Sequence, residues 1–225
     1  MTDLGQTTLL DIKGLRDMGP AFHRRLVEVC AEINAVPSYV AAVIAFESHF
    51  APAIRNPVSG ATGLIQFMPA TAKRLGTTTD EIAAMTAVEQ LDLVSRYFAA
   101  FKGKLRSVSD HYMAVLWPAA VGKPEGYALF SAPSKAYEQN AGLDRDKNGV
   151  VTKSDAARTV ESFVVAAQAR PVIEVDMTAP PADWSPLVPE WVAPAASNAA
   201  AWGALAGAAL LLWMAAKKAP KARTA

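Results

Sequence analysis

Val40-Ala41-Ala42-Val43-Ile44-Ala45-Phe46-Glu47-Ser48, followed by Gly60-Ala61-Thr62-Gly63-Leu64-Ile65-Gln66-Phe67-Met68-Pro69-Ala70-Thr71-Ala72, is the passage on which the fold turns. Pro37 is a first-turn residue, and the apolar run behind it reads as a helix to about Ser48. Glu47 is the only charge at the end of that run. A lone carboxyl on a nearly all-apolar helix is costly to ionise, so it either points to water or is kept for its proton. In the second piece, Gly60 and Gly63 allow close backbone approach, and Met68, Pro69 and Thr71 open the next helix.

Outward from this passage the periodicity stays helical. Phe22, Leu26, Val29, Cys30 and Ile33 form one stripe, and further helices are expected over Thr71–Leu75, Asp80–Ala84 and Val88–Lys102. Thr79 or Asp80 would cap the second of these, and Leu91, Val94, Phe98 and Phe101 would be the buried face of the third. Tyr112–Leu116 is a short apolar segment stopped by Pro118. Strand signals are scarce, so the expected class is mainly α, with one domain over residues 1–170.

After Arg170 the texture changes. Residues 171–194 carry Pro171, Pro180, Pro181, Pro186, Pro189 and Pro194 and read as an extended, semi-rigid linker. At about 3.1 Å per residue it would hold a domain several tens of ångströms from a membrane. The other reading is a segment that wraps back through Trp184 and Trp191. Residues 195–216 are Ala, Leu, Gly, Trp and Met, with only Ser197 and Asn198 polar. Roughly 20 apolar residues in helical form span a bilayer core of about 30 Å, Trp202 and Trp213 lie where interface anchors would, and the tail 217–225 carries Lys217, Lys218, Lys221 and Arg223. A transmembrane helix and a lipid partner are expected here, against a buried terminal helix.

The charges, 22 basic and 21 acidic in 225 residues, nearly cancel. No general pull toward nucleic acid follows. The single cysteine, Cys30, excludes an intrachain disulfide and reads as packing. His23, His49 and His111 show no metal-ligand spacing. Asp110-His111 lacks the nucleophile signature a catalytic dyad would need.

A half-buried glutamate keeps its proton toward neutral pH and can give it to a leaving oxygen, which is what glycosidic cleavage needs. Gln66 adds an amide able to orient a sugar substituent. At Glu47-Ser48 together with Gly63 to Ala72 the chain resembles the soluble lytic transglycosylase (SLT) family, which is related to goose-type lysozyme; the resemblance covers roughly residues 35–123. It implies a helical lysozyme-like fold and cleavage of the β-1,4 bond between N-acetylmuramic acid and N-acetylglucosamine in peptidoglycan. By that resemblance Glu47 is general acid and then base, with no cofactor, and the substrate's acetamido group or 6-hydroxyl replaces a second carboxylate. Ser48 and Gln66 would orient the glutamate and line the groove beside Gly63, Leu64, Phe67 and Met68. The family's Ala-Tyr-Asn-Ala-Gly segment is absent, Tyr112-Met113-Ala114-Val115-Leu116-Trp117-Pro118-Ala119 standing in its region. Tyr112 would supply the phenol from one turn earlier, and an anhydro or a hydrolysed product stays open.

Asp144-Arg145-Asp146-Lys147-Asn148-Gly149-Val150-Val151-Thr152-Lys153-Ser154-Asp155 follows the calcium-loop pattern of an EF-hand. Its ligands would be Asp144, Asp146, Asn148, Val150 and Asp155, with Ala156–Ala169 as the exiting helix. A metal-free turn uses the same residue types. Both readings stand, and either is structural.

The basic tail favours a cytoplasmic C-terminus by the positive-inside rule, yet MTDLGQTTLLDIKGLRDMG does not read as a secretory signal. An enzyme that arrives with a phage particle, on a viral membrane or ejected with the genome, reconciles the two, with virion proteins as partners and the host cell wall as workplace. The competing readings are a virion or secretion-machine component whose domain only binds glycan, and an endolysin acting at lysis.

Overall fold

The structure, a computed structural model, describes residues 6–178. The expected transmembrane helix, the basic tail and the linker from residue 179 onward lie outside the described residues. Among the described residues no single helix is long and apolar enough to cross a membrane.

Helices dominate: α1 Gly19–Ile33, α2 Pro37–Ser48, α3 Pro69–Arg74, α4 Thr79–Ala84, α5 Ala87–Phe98, α6 Val108–Leu116, α7 Lys135–Asn140 and α8 Lys153–Gln168. A helix apolar on every side has to be surrounded. In α2 every residue from Val40 to Ala45 is buried, and the helix is packed by α1, α6 and α8. The expected α1 stripe is buried throughout, and desolvation among those side chains raises the Cys30 thiol pKa, with Glu32 adding to it. The buried face of α8 is Ala156, Ala157, Val160, Val164 and Ala167, small residues that let it lie close to α2 and α6.

Helix starts differ from expectation by a residue or more. Thr78, not Thr79 or Asp80, caps α4: its hydroxyl accepts from the Glu81 amide at 3.1 Å while Glu81 accepts from the Thr78 amide at 2.8 Å. Thr86 and Glu89 repeat the arrangement on α5. A threonine followed by glutamate three residues on satisfies two orphan donors at once, and that reciprocity decides the position. α3 begins at Pro69, where the missing amide costs nothing.

Strands are present although their signals are weak. β2 Ala128–Ser131 pairs antiparallel with β3 Val150–Thr152. β1 Gln6–Leu9 pairs antiparallel with β4 Ile173–Asp176, from Gln6 opposite Asp176 to Leu9 opposite Ile173. Residues 171–178, read above as the start of the linker, therefore belong to the domain. Ile173 and Val175 are buried and alternate with exposed Glu174 and Asp176, the period of a half-buried strand. Arg16 Nη2 donates to the Pro171 carbonyl at 2.8 Å, and Arg170 Nη1 to the Asp11 carbonyl at 3.2 Å.

His111 joins the starts of α2 and α6. Val36, the N-cap of α2, offers no side-chain cap, and its amide donates to His111 Nε2 at 3.2 Å. Nδ1 therefore carries the proton and donates to the Ser107 carbonyl at 2.7 Å. The imidazole is buried, with Tyr39 edge-on at 5.4 Å. Burial holds its pKa below the ordinary 6.5, against opposing contributions from the Ser107 bond and Asp110. A depressed histidine pKa means the unfolded chain takes up the proton first, so this stabilisation is complete above pH 6.5 and is lost as pH falls from there through the folded value. Melting temperature should therefore drop between pH 7.5 and pH 5, and His111→Phe should lower the neutral plateau while flattening that part of the profile. A wild-type profile level across this interval would contradict the neutral imidazole.

Candidate active site

Glu47 sits in the last turn of α2 and is 5% exposed. The chain leaves the helix through two successive left-handed residues, His49 at φ 54° and Phe50 at φ 62°. Each is unfavourable for a side chain with a Cβ, by about 1–2 kcal/mol. Burial of Phe50, whose ring meets Phe22 edge-on at 5.9 Å, offsets this and turns the backbone sharply away behind the carboxyl. His49 itself is exposed and caps the helix through its amide, which donates to the Ala45 carbonyl at 3.2 Å.

Two phenols, Tyr97 and Tyr112, are electrostatically coupled to the glutamate. Phe46 packs edge-on against Tyr112 at 5.2 Å, and Tyr97 lies in a cluster with Phe67, Phe98 and Phe101. Burial raises the pKa of both phenols. Glu47 adds to the shift of Tyr112, whereas at Tyr97 Arg74 opposes it and Glu47 reinforces it. Both phenols are thus neutral hydrogen-bond donors within electrostatic reach of the carboxyl. They differ in one respect. Tyr97 Oη donates to the Ala114 carbonyl at 2.7 Å, while Tyr112 Oη, fully buried, has no hydrogen-bond partner among the described residues.

The Gly63 to Gln66 segment is a tight turn closed by Thr62 and Phe67, whose amides and carbonyls bond reciprocally at 3.0 and 2.8 Å. Gly63 has φ 83°, and a Cβ there would stand 2.4 Å from Gln90 Oε1 and 2.8 Å from Ile82 Cγ2. Only glycine fits. Gln90, fully buried on α5, accepts from the Leu64 amide at 2.9 Å and donates to the Pro52 and Ile82 carbonyls at 2.8 and 2.7 Å. One amide side chain therefore ties two stretches of loop and helix α4 to α5.

This rearranges the roles expected of the motif. Ser48 is fully buried and its hydroxyl donates to the Ile44 carbonyl at 3.1 Å, so it seals the helix end and lines no groove. Gly63, Leu64 and Phe67 are buried as well; they support the turn and pack the core. Gln66 and Met68 keep partial exposure, yet the Gln66 Nε2 group is engaged with the Gly63 and Ile54 carbonyls at 3.1 and 3.3 Å. Among the expected contacts, Gln66 and Met68 keep partial exposure and Glu47 is 5% exposed, whereas Tyr112 is as fully buried as Ser48. Gln90 and Tyr97 escaped the sequence reading. The available signal was a glutamine at a buried-stripe position of α5, one turn before Val94.

The Asp110-His111 pair points two ways. Asp110 binds Lys153 at 2.6 Å and His111 binds backbone, so no dyad forms. In the 144–155 loop, Asp144 accepts from Tyr137 Oη at 2.6 Å and from the Gly149 amide at 2.9 Å, and Asn148 Oδ1 accepts from the Val150 amide at 2.8 Å. Asp146 accepts from Asn148 Nδ2 at 3.0 Å. Asp155 is not with them: it caps α8 through Thr152 and pairs with Arg158 at 3.0 Å. A calcium shell closes with a carboxylate at this position, and here that carboxylate is committed to the helix end. No group of three His, Cys, Asp or Glu able to hold a metal assembles among the described residues.

Residues 30–114 match the family model of the transglycosylase SLT domain. The match spans Glu47, the Thr62–Phe67 turn, Gln90, Tyr97 and Tyr112, and it supports a lysozyme-like SLT domain and, at the level of the family, a lytic transglycosylase that cleaves peptidoglycan. No curated protein matches the chain, and no solved structure does.

Because Gln90 satisfies three backbone groups, two of them on buried residues, Gln90→Ala should destabilise by about 2–4 kcal/mol in urea unfolding, and Gly63→Ala by a similar amount through strain and clash. Tyr112→Phe should run the other way, removing a buried hydroxyl that has no partner and raising stability by about 1 kcal/mol. A loss of stability in Tyr112→Phe would mean that its hydroxyl has a partner in the folded protein.

Proposed function

We propose that this protein cuts the β-1,4 bond between N-acetylmuramic acid and N-acetylglucosamine, as a lytic transglycosylase or muramidase, with Glu47 as general acid and then base. The observation that carries the reading is Glu47 itself, a buried carboxyl at the end of an apolar helix, within electrostatic reach of two neutral phenols. The proton passes from the carboxyl to the bridging oxygen as the bond from that oxygen to the anomeric carbon breaks. The Glu47 carboxylate then takes a proton from the group that attacks this carbon, the sugar's own 6-hydroxyl for an anhydro product or a water for a reducing end.

The neighbouring elements offer no free second carboxylate, which favours assistance by the substrate's acetamido group. Glu47 is the only acid of α2, the Gly60–Met68 segment and α3 have none, and Asp110, the acid of α6, is bound to Lys153. On α5, Glu89 caps the helix and Asp92 pairs with Arg25.

Glu47→Gln should reduce the clearing rate of purified cell walls by at least roughly 10²–10⁴-fold with an unchanged circular dichroism spectrum; a rate equal to wild type would remove Glu47 from the chemistry. Tyr112→Phe should cost about tenfold in kcat, so that the variant gaining stability loses activity. Mass spectrometry of the muropeptides assigns the class, anhydro ends to a transglycosylase and reducing ends to a muramidase.

For location we propose a membrane tether formed by the apolar run 195–216, on a phage particle that brings the enzyme to the host wall. The support is the sequence of that run and the cations behind it. Recovery in the membrane fraction after an alkaline carbonate wash, and presence in purified virions, are the expected results; a protein released by the wash has no spanning anchor.

A further inference from the structure

A cavity of about 520 Å³ opens at the N-terminal end of α6, within the size range of small-ligand sites. It is separate from the glutamate. Asp110, which lines it, and Tyr112 are two residues apart on α6 and so point about 200° apart around the helix. Tyr112 packs on Phe46, whereas Asp110 turns to Lys153. The floor of the cavity carries no net charge. Lys153, 1% exposed, donates to Asp110 Oδ1 at 2.6 Å and to the Lys123 carbonyl at 2.8 Å. Asp110 also accepts from the Gly122 amide at 2.8 Å and the Arg106 amide at 3.2 Å. Desolvation works against its charge, yet these bonds together hold its pKa below the ordinary value, so Asp110 stays ionised and offsets Lys153.

The rim, by contrast, is charged and unmatched. Lys104, Arg106 and Lys123 line the cavity and are exposed, and none has an ion-pair partner among the described residues. Their backbone is fixed: Leu105 is buried between the first two, and Lys153 holds the carbonyl of the third. The acid of the rim is Glu125, whose side chain is 51% exposed. Its Oε1 accepts from Ser109 Oγ at 2.6 Å, and Oε2 has no hydrogen-bond partner among the described residues. Three cations on fixed backbone against one carboxylate leave two positive charges for an occupant to match.

That excess selects the ligand. A phosphomonoester carries about −1.5 to −2 charge near pH 7 on three acceptor oxygens, whereas a carboxylate supplies a single charge. Glu125 repels a bare phosphate but accepts from a hydroxyl, so the body attached to the phosphate is a hydroxylated one. The surroundings favour a soluble molecule over a lipid, whose acyl chains need an apolar shelf. Val36, Ile54, Val58, Val165 and Val172, the large aliphatic side chains exposed among the described residues, all lie outside the lining. Tyr127 alone of the exposed large apolar residues adjoins it, its ring centroid 5.8 Å from Lys123 Nζ. We propose that this cavity binds a soluble phosphomonoester of a polyol, with Lys104, Arg106 and Lys123 on the phosphate and Glu125 accepting from a hydroxyl. Such a ligand joins the 104–106 segment to the 122–125 loop and relieves the mutual repulsion of the three cations. The site is independent of the chemistry at Glu47.

Isothermal titration calorimetry on the full chain at low ionic strength tests this with glucose 6-phosphate as the probe. Saturable binding is expected, about tenfold tighter than that of inorganic phosphate, and glucose should give none. The double variant Lys104→Ala, Arg106→Ala should weaken binding by at least about tenfold, and because both side chains are exposed its urea midpoint should stay at the wild-type value. Glu125→Ala should lose affinity for glucose 6-phosphate and gain it for inorganic phosphate, bringing the two within about twofold. The result that would overturn the proposal is any one of four: no saturable binding, equal wild-type affinity for the two phosphates, binding indifferent to the double variant, or binding to phosphatidic acid vesicles with none to glucose 6-phosphate.

Discussion

Everything in this domain depends on α2 being apolar on every side. Such a helix has no stable position except the middle of others, and once α1, α6 and α8 have closed around it, the one charge it carries is drawn in with it. The environment of Glu47 is thus a by-product of core formation. No loop has to fold over the carboxyl to desolvate it. The remaining local work is to end the helix there without opening it to water. The left-handed pair His49 and Phe50, the buried Phe50 ring and the Ser48 hydroxyl turned back onto Ile44 do this together.

The second constraint is the knot around Gln90. The stretch from Pro52 to Phe67 has little regular structure, and left alone it would be costly to order. Gln90 holds it at the Pro52 carbonyl and the Leu64 amide, and fastens the Ile82 carbonyl to the same point. Phe67, at the end of the turn, packs edge-on against Tyr97, which lies within reach of Glu47. The turn and the glutamate are thus linked through one aromatic contact, and the precision of the site is inherited from a buried amide on a different helix.

The helices were legible because their evidence is local. The α1 stripe, the Leu91, Val94, Phe98 and Phe101 face and the Pro37 start are each contained in a dozen or so residues. β1 and β4 were not, since each has four residues and pairs with a segment at the far end of the domain, a contact with no trace in either stretch alone. Gln90 was hidden for the same reason: its partners Pro52 and Leu64 lie 38 and 26 residues away. The motif at Gly63–Met68 could be read as belonging to a site, but not which of its members would face a ligand. Leu64, Phe67 and Ser48 are support here, and a pattern of residue types does not separate support from contact. In the 144–155 loop the turn chemistry was legible, whereas the commitment of Asp155 to capping α8 depended on Thr152 starting that helix.

The family match ends at residue 114, yet the site cannot end there. α8, which lies wholly beyond it, covers faces of α2 and α6 that would otherwise expose alanine and valine to water, and Lys153 at its start neutralises Asp110 on α6. The far end of the chain is fixed in turn, since β4 follows α8 directly and zips onto β1 in front of α1. α2 is therefore enclosed by one helix that begins before the matched segment and one that lies wholly after it, with the two ends of the domain hydrogen-bonded together. It follows that residues 30–114 isolated from their flanks would carry the motif without the burial of α2 and Glu47 seen in the whole domain.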